Sequence, residues 1–271
     1  MKKIFLIFIA TFSLIFSKEP EKGKVYKRIV VYNMSVAEIL YKIGAGDSII
    51  AIGDHKGNVW PEEKVNLLPL AGSTSKPQLE KIISFNPDLV IFNVMGNCSE
   101  ELERMDIPSV VITAKSLDDI KSNIEILGSL TGHEKESISV LEEIDEKLKR
   151  IEALPKIGGT SLVLYSKSPL TAFNRDSLPS QALEKIGIQS IIPAGVSKAL
   201  ISQEFVLKNN PDYIIGTLGI KDDLVEEVPI LKETKAYEKD NIFLIDSLVI
   251  LRASHRIFDE IFNLYEQITK R

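Results

Sequence analysis

One cysteine, one tryptophan and three histidines in 271 residues exclude several kinds of chemistry at once. Cys98 has no partner for an internal disulfide, a redox pair or a zinc knuckle, and its plain reading is a small, half-buried residue. His55, His133 and His255 are far apart in the chain, so no structural zinc site is spelled out. His133-Glu134 lacks the second histidine of a zincin helix. Gly44-Ala45-Gly46 lacks the later glycine of a dinucleotide loop and follows a helical stretch where that loop would follow a strand. With no phosphate loop and no Gly-x-Ser-x-Gly elbow either, no catalytic residue, resident metal or cofactor is assigned, and an enzyme is not expected. A net charge of −5 argues against a nucleic-acid partner.

The chain also offers no apolar run of membrane-spanning length near its start. Residues 4–16 are apolar over thirteen positions, short of the roughly 20 that a bilayer requires. Behind Met1-Lys2-Lys3 they read instead as the core of a secretory signal ending at Ser17, although bulky Ile15 blurs the cleavage point. No cysteine closes this run, so no lipid anchor is expected. The expectation is a free exported protein, monomeric, held in the periplasm of a double-membraned bacterium.

What the chain does have is a phrase written twice. Residues 80–91 read Glu-Lys-Ile-Ile-Ser-Phe-Asn-Pro-Asp-Leu-Val-Ile, and residues 204–215 read Glu-Phe-Val-Leu-Lys-Asn-Asn-Pro-Asp-Tyr-Ile-Ile, at a constant offset of 124. Lys42-Ile43-Gly44 leading to Ser48-Ile49-Ile50 is likewise echoed by Lys185-Ile186-Gly187 leading to Ser190-Ile191-Ile192. Each copy of the longer phrase predicts a short helix, a turn at Asn-Pro-Asp and a buried strand, because proline drives its predecessor out of the helical region and Asx side chains bond the local backbone. A single repeat at this spacing predicts two similar α/β lobes with a cleft between them.

Strands are predicted over 28–32, 49–53, 89–92, 109–113, 161–165, 190–192, 212–216 and 241–246, and residues 166–179 as a loop. Ser35 is expected to cap a helix over 36–43. Ser116 and Asp119 have capping-box spacing, and apolar steps of three and four, interrupted at Gly132, run on to Ala153. They predict a long helix linking the lobes. The divisions expected are a signal over 1–17, lobes over 24–114 and 155–271, and the link over 115–154.

In their order and spacing, residues 29–40, 72–91, 116–130, 169–172, 202–215 and 241–268 resemble the periplasmic binding proteins for iron–siderophores, haem and cobalamin, the helix-linked class that serves ABC importers. The resemblance implies two Rossmann-like lobes with mainly parallel sheets joined by one long α-helix. It also implies a metal chelate carried in the cleft, most simply an iron–siderophore, with haem or cobalamin as alternatives. The family docks an acidic residue of each lobe on arginines of the membrane permease; the matching positions here are Glu80 and Glu204, each also accountable as a helix-start carboxylate favoured by the helix dipole. Ligands of open α/β sheets lie beyond the carboxyl ends of the strands. That rule selects Asn33, Met34, His55, Trp60, Asn93, Met95, Arg175, Arg252 and His255 as ligand-binding candidates, alongside Asn174, Thr217 and Arg256. The guanidinium groups suit carboxylate or catecholate oxygens, Trp60 suits a flat ring, and the imidazoles suit an open metal position. Each has an ordinary alternative: Trp60 as core, the arginines as surface charges.

Overall fold

A computed structural model of the chain describes residues 16–270 except 19, 22, 56, 95–97, 196–197, 218–223 and 246. Eleven strands lie in two separate sheets among the described residues. The first holds β1 (Phe16–Lys18), β2 (Ile29–Val31), β3 (Ile49–Ile52), β4 (Leu89–Phe92) and β5 (Ser109–Val111), in the order β1-β5-β4-β2-β3. The second holds β6 (Thr160–Lys167), β7 (Leu170–Phe173), β8 (Gln189–Ser190), β9 (Lys198–Leu200), β10 (Tyr213–Gly216) and β11 (Ile242–Leu244), in the order β11-β10-β6-β7-β9, with β8 also on β6. The helices are α1 (Met34–Lys42), α2 (Glu62–Val65), α3 (Leu79–Ile83), α4 (Ser99–Arg104), α5 (Leu117–Thr131), α6 (Glu134–Ala153), α7 (Leu178–Lys185), α8 (Gln203–Asn209), α9 (Leu224–Glu227), α10 (Lys235–Glu238), α11 (Ser247–Arg252) and α12 (Ile257–Thr269). The chain is a two-lobed α/β protein.

The written repeat is a structural one. β2 lies between β3 and β4 in parallel, and β6 lies between β8 and β10 in parallel. Each Asn-Pro-Asp turn is used identically. Asn86 and Asn210 take positive φ (49° and 39°), a conformation asparagine tolerates better than most residues. Asp88 then accepts hydrogen bonds from Lys27 N and Arg28 N, both 2.9 Å, just before β2. Asp212 accepts from Thr160 N (3.0 Å) and Thr160 Oγ1 (2.9 Å), at the start of β6.

Three expectations are corrected. Residues 170–173, read as loop, form β7, which pairs antiparallel with β6 and with β9, so the second sheet is mixed while the first is parallel apart from β1. The cap of α1 is Asn33 and not Ser35: its Oδ1 accepts from Ser35 N at 3.0 Å. The stretch expected as one helix is two. Gly132 takes φ 72° and ends α5, and α6 folds back against it, with Gly128 seated against Ser137. The link between lobes is therefore α6 alone. The Ser116–Asp119 capping box is present as predicted. Phe16–Lys18 straddles the expected end of the signal and pairs with the edge of β5; the rest of the apolar leader lies outside the described residues.

Alternate strand residues divide between cores. Ile29, Val31, Leu89 and Ile91 of the first sheet and Val163 and Ile215 of the second enter one shared apolar cluster with α1, α5, α6, α7 and α12. The opposite faces, such as Val30 and Val90 or Leu162 and Ile214, enter separate clusters, one per lobe. Both sheets are thus covered on both sides, and their inner faces are welded through the helices between them. Charges reinforce the weld. Glu143 of α6 meets Lys42 of α1 (2.8 Å) and Lys147 (2.9 Å), and Lys147 also meets Asp259 of α12 (2.6 Å). Hydrogen bonds from Lys147 and Lys42 hold the Glu143 carboxyl down to about 2. His255 is buried above this network, and its pKa falls from 6.5 to about 3, first through burial and then through the charges of Lys42, Arg256 and Lys147, opposed by Glu143.

Two predictions follow from this packing. A Cβ on Gly128 would stand 2.4 Å from Ser137 Oγ and 2.7 Å from its Cβ. Gly128→Ala should therefore destabilise the α5–α6 hairpin by about 1–3 kcal/mol, read as a lowered Tm; an unchanged Tm would show the two helices free to separate. Because the folded pKa of His255 lies below the unfolded one, its contribution to stability is complete above pH 6.5 and drains as pH falls towards 3. The loss is roughly tenfold in the folding equilibrium per pH unit. His255→Gln should narrow the gap in Tm between pH 7 and pH 4.5, and an unaltered gap would mean that the ring is charged in the native state.

Candidate functional site

Two hollows open at strand ends. One, of about 610 Å³, opens beyond β3 and β4 and is walled by Asp54, His55, Ser73, Thr74, Ser75, Asn93 and Val94. The other, of about 560 Å³, lies between the segment after β5 (Ala114, Lys115) and the second lobe's Phe173, Asn174, Asp176, Ser177, Leu178, Pro179 and Gly195, with Leu251 of α11. Ala172 pairs with Leu164, and Leu164 with Gly216, so the end of β7 is level with the carboxyl end of β10.

The two walls differ in chemistry. The first-lobe wall is polar: the Asp54 carboxylate accepts from Thr74 N at 2.7 Å and from Thr74 Oγ1 at 2.5 Å, which holds the hydroxyl-rich loop against the end of β3. His55 is half-buried, and its Nδ1 is enclosed without a hydrogen-bond partner. The second-lobe wall is mainly apolar, through Phe173, Leu178, Pro179 and Leu251. Asp176 shapes its rim by accepting from Gly195 N at 2.9 Å.

Of the residues selected from the sequence, His55 and Asn93 line the first hollow and Asn174 the second. Met95 lies outside the described residues. Asn33 serves the backbone, capping α1 and donating Nδ2 to Ile112 O at 2.6 Å, and Met34 packs on the shared core. Thr217 is buried and donates to Leu164 O at 2.7 Å. Arg175 is exposed and donates Nη2 to Ser190 O at 3.3 Å. Trp60 is 38% exposed, its ring set edge-on to His255 with centroids 5.2 Å apart.

Arg252 and Arg256 differ most from the expectation of ligand-facing cations. Glu38 of α1 is fully buried, and its Oε1 takes Arg252 Nη1 at 2.8 Å, Arg256 Nη1 at 3.5 Å and Trp60 N at 3.1 Å, while Oε2 accepts from Ser254 Oγ. Arg252 Nη1 also donates to Asn58 O. Sequence reasoning missed Glu38 because a glutamate on a surface helix is ordinarily solvated; its position inside the apolar run of residues 36–40 was the available signal. The strand-end rule did take in Leu251, within the stretch 247–255, but it missed Lys115, and it missed Phe173 and Asp176 because β7 was not recognised as a strand.

Glu80 and Glu204 occupy the first turns of α3 and α8, both exposed, at equivalent points of the repeat. Cys98 is buried, donates to Pro77 O at 3.1 Å, and has its pKa raised by burial and then by the charges of Glu101 and Glu80, an environment that suppresses the thiolate. No group of three or more His, Cys, Asp or Glu able to hold a metal occurs among the described residues.

Comparison with known proteins agrees with this geometry. The periplasmic binding protein family matches residues 29–248. A vitamin B12-binding protein of Pectobacterium atrosepticum is 27% identical over 203 residues, which cover 70% of this chain and 71% of that protein. An uncharacterized ABC transporter substrate-binding lipoprotein of Bacillus subtilis, YvrC, is 24% identical over 254 residues, 89% of this chain and 80% of its own. Among solved structures, the periplasmic haem-binding protein HutB of Vibrio cholerae superposes with a TM-score of 0.78 at 19% identity, covering 89% of this chain and 98% of that one. Two separate sheets and a hollow lined from both lobes thus coincide with a family match across most of the chain, which belongs to the periplasmic binding proteins.

Proposed function

We propose that this chain is the substrate-binding protein of an ABC importer, that it carries a metal chelate between its two lobes, and that it presents the loaded cleft to the permease through Glu80 and Glu204. The observation that carries the reading is the 560 Å³ hollow between the lobes, with its mainly apolar second-lobe wall, beside a first lobe whose strand ends open on a hydrogen-bonding hollow of 610 Å³. A chelate with a polar periphery and a hydrocarbon body suits such walls. The same reading makes residues 1–17 a removable export signal and the mature protein a free periplasmic monomer.

The charges of the cleft narrow the chelate. Among the described lining residues Lys115 is the only cation, against Asp54 and Asp176, and two of the three candidate arginines are engaged by Glu38. Several anionic oxygens would lack partners there, and unpaired charge in a closing cleft is costly. An uncharged hydrogen-bonding periphery fits better: the amides of a corrinoid, or the neutral ring of a ferric hydroxamate siderophore. Hydroxyls of Ser73, Thr74 and Ser75 with Asn93 would meet such groups, Trp60 would lie against a flat face, and His55 is the imidazole available to an open metal position.

The single tryptophan makes the test direct. Cyanocobalamin and a ferric trihydroxamate should quench Trp60 emission saturably and at lower concentration than hemin or a ferric catecholate, and native mass spectrometry of the periplasmic fraction should return the same class of ligand on a chain starting near Lys18. Preference for hemin or the catecholate would reject the uncharged chelate; saturable binding of none of the four would reject the carrier reading itself.

Docking is tested separately. Glu80→Arg and Glu204→Arg should each reduce ligand uptake by cells at least several-fold while the affinity of the purified protein stays within about twofold, since exposed rim charges act on partner recognition. Loss of ligand affinity in either variant would remove these residues from the docking face.

A further inference from the structure

Among the described residues, Glu38 is the one fully buried acid of the first lobe that gathers donors from both lobes. From its own side it takes the backbone N–H of Trp60; from the other it takes Ser254 Oγ and the guanidinium groups of Arg252 and Arg256. The side chain of Arg252 is only 10% exposed and reaches back to Asn58 O, two residues before Trp60. Around this node the surfaces are in close apposition: a Cβ on Gly57 would lie 2.7 Å from Leu248 Cδ1, and the ring of His255 abuts Trp60. A second crossing lies where Gln181 of α7 accepts from Leu117 N (3.2 Å) and donates to Lys115 O (2.9 Å).

We infer that Glu38 is a positioning residue that fixes the aperture between the lobes and the attitude of Trp60 at its edge. Among its described residues, the segment carrying Trp60 has no regular secondary structure between β3 and α2, so its placement relies on tertiary bonds. Nearest Trp60 these are the bonds of one carboxylate oxygen, Oε1, shared by Trp60 N and Arg252 Nη1, and that of Arg252 Nη1 to Asn58 O. Any opening of the cleft that moves α11 away from α1 must separate this pair and leave the buried carboxylate and the largely buried guanidinium of Arg252 short of partners. Such a separation is strongly unfavourable where solvent cannot replace the lost bonds. The node therefore sets one aperture, in place of a range of them, and it links that aperture to the placement of Trp60. The arrangement also accounts for the arginines: they hold the cleft in shape and do not line it. The aperture is a property of the ligand-free protein, whereas the consequence for binding rests on the cleft reading above.

The test uses the full mature chain with Cys98→Ser and spin labels at Asn66→Cys and Glu238→Cys, one exposed site in each lobe. Without ligand, the reference protein should give a single narrow interlobe distance. Glu38→Gln should broaden or shift it by several ångströms and increase acrylamide quenching of Trp60 about twofold, and Glu38→Asp should restore both in part. Arg252→Gln, which leaves Glu38 with Arg256 and Ser254, should give the same changes in weaker form and carries the test if Glu38→Gln does not fold. An unchanged distance and unchanged quenching in the folded variant, with only a lower Tm, would make Glu38 a merely stabilising residue and overturn the inference. Loss of ligand binding with an unchanged distance would likewise overturn it, whereas altered distance with no ligand bound even by the reference protein would support the aperture and reject the cleft reading.

Discussion

Everything in this fold depends on how each lobe begins its central strand. Asp88 and Asp212, at the end of the duplicated phrase, accept the amides that lead into β2 and β6, and thereby fix where the neighbouring parallel strands start relative to one another. Parallel strands have no tight hairpin to set their register, so a side-chain clamp at the amino end does that work. Once the starts are aligned, the ends are aligned too, and the loops that leave them are delivered to one edge of each sheet. The cleft is the consequence. Had Asp88 been placed one residue away, the alternation of Ile29, Val30 and Val31 between the shared and private cores would have been inverted.

The second constraint is the absence of a loose joint. A chain that crosses between lobes by loops can close through a few dihedral angles; here the crossing is α6, packed on both sides and tied to α1 and α12 through Glu143 and Lys147. Bending a packed helix disturbs many contacts at once, so the motions available are small rotations and shears about the welded core. A protein of this build recognises cargo mainly through a preformed surface. Its selectivity therefore follows from the chemistry that the walls already present, more than from what closure would add.

Much of this was legible in the residues, and the reasons are physical. Asn-Pro-Asp followed by Leu-Val-Ile-Phe carries its own turn and strand, so β4 and β10 were readable. Ser116 with Asp119 carries its own cap, so the start of α5 was readable as well. β7 was not, because Leu170-Thr-Ala-Phe is short and acquires strand character only by pairing with β6 and β9. The break at Gly132 was visible as a gap in the apolar pattern, but periodicity on either side could not say that α6 folds back on α5. That reversal is decided by Gly128 against Ser137 and by the left-handed backbone of Gly132. Strand-end reasoning brought His55, Asn93 and Asn174 to the hollows. It could not foresee that Glu38, more than two hundred residues earlier in the chain, would engage Arg252 and Arg256.

That last misreading has a wider implication for how such clefts are interpreted. An arginine near a strand end is an attractive candidate for an anionic ligand only if no internal acid reaches it first. In a buried setting the internal acid prevails, because a preorganised carboxylate already shielded from water binds the guanidinium without the desolvation that an arriving ligand must undergo. Counting cations in the sequence therefore overestimates the positive charge of the site. In this protein the difference is two charges, enough to turn a cleft that reads as a receptor for polyanions into one whose described walls carry a slight negative balance and a row of hydroxyls. The same two arginines, withdrawn from the ligand, become part of the frame that gives the cleft its width. On this inference a substitution of Glu38 would alter the width of the cleft and its charge together.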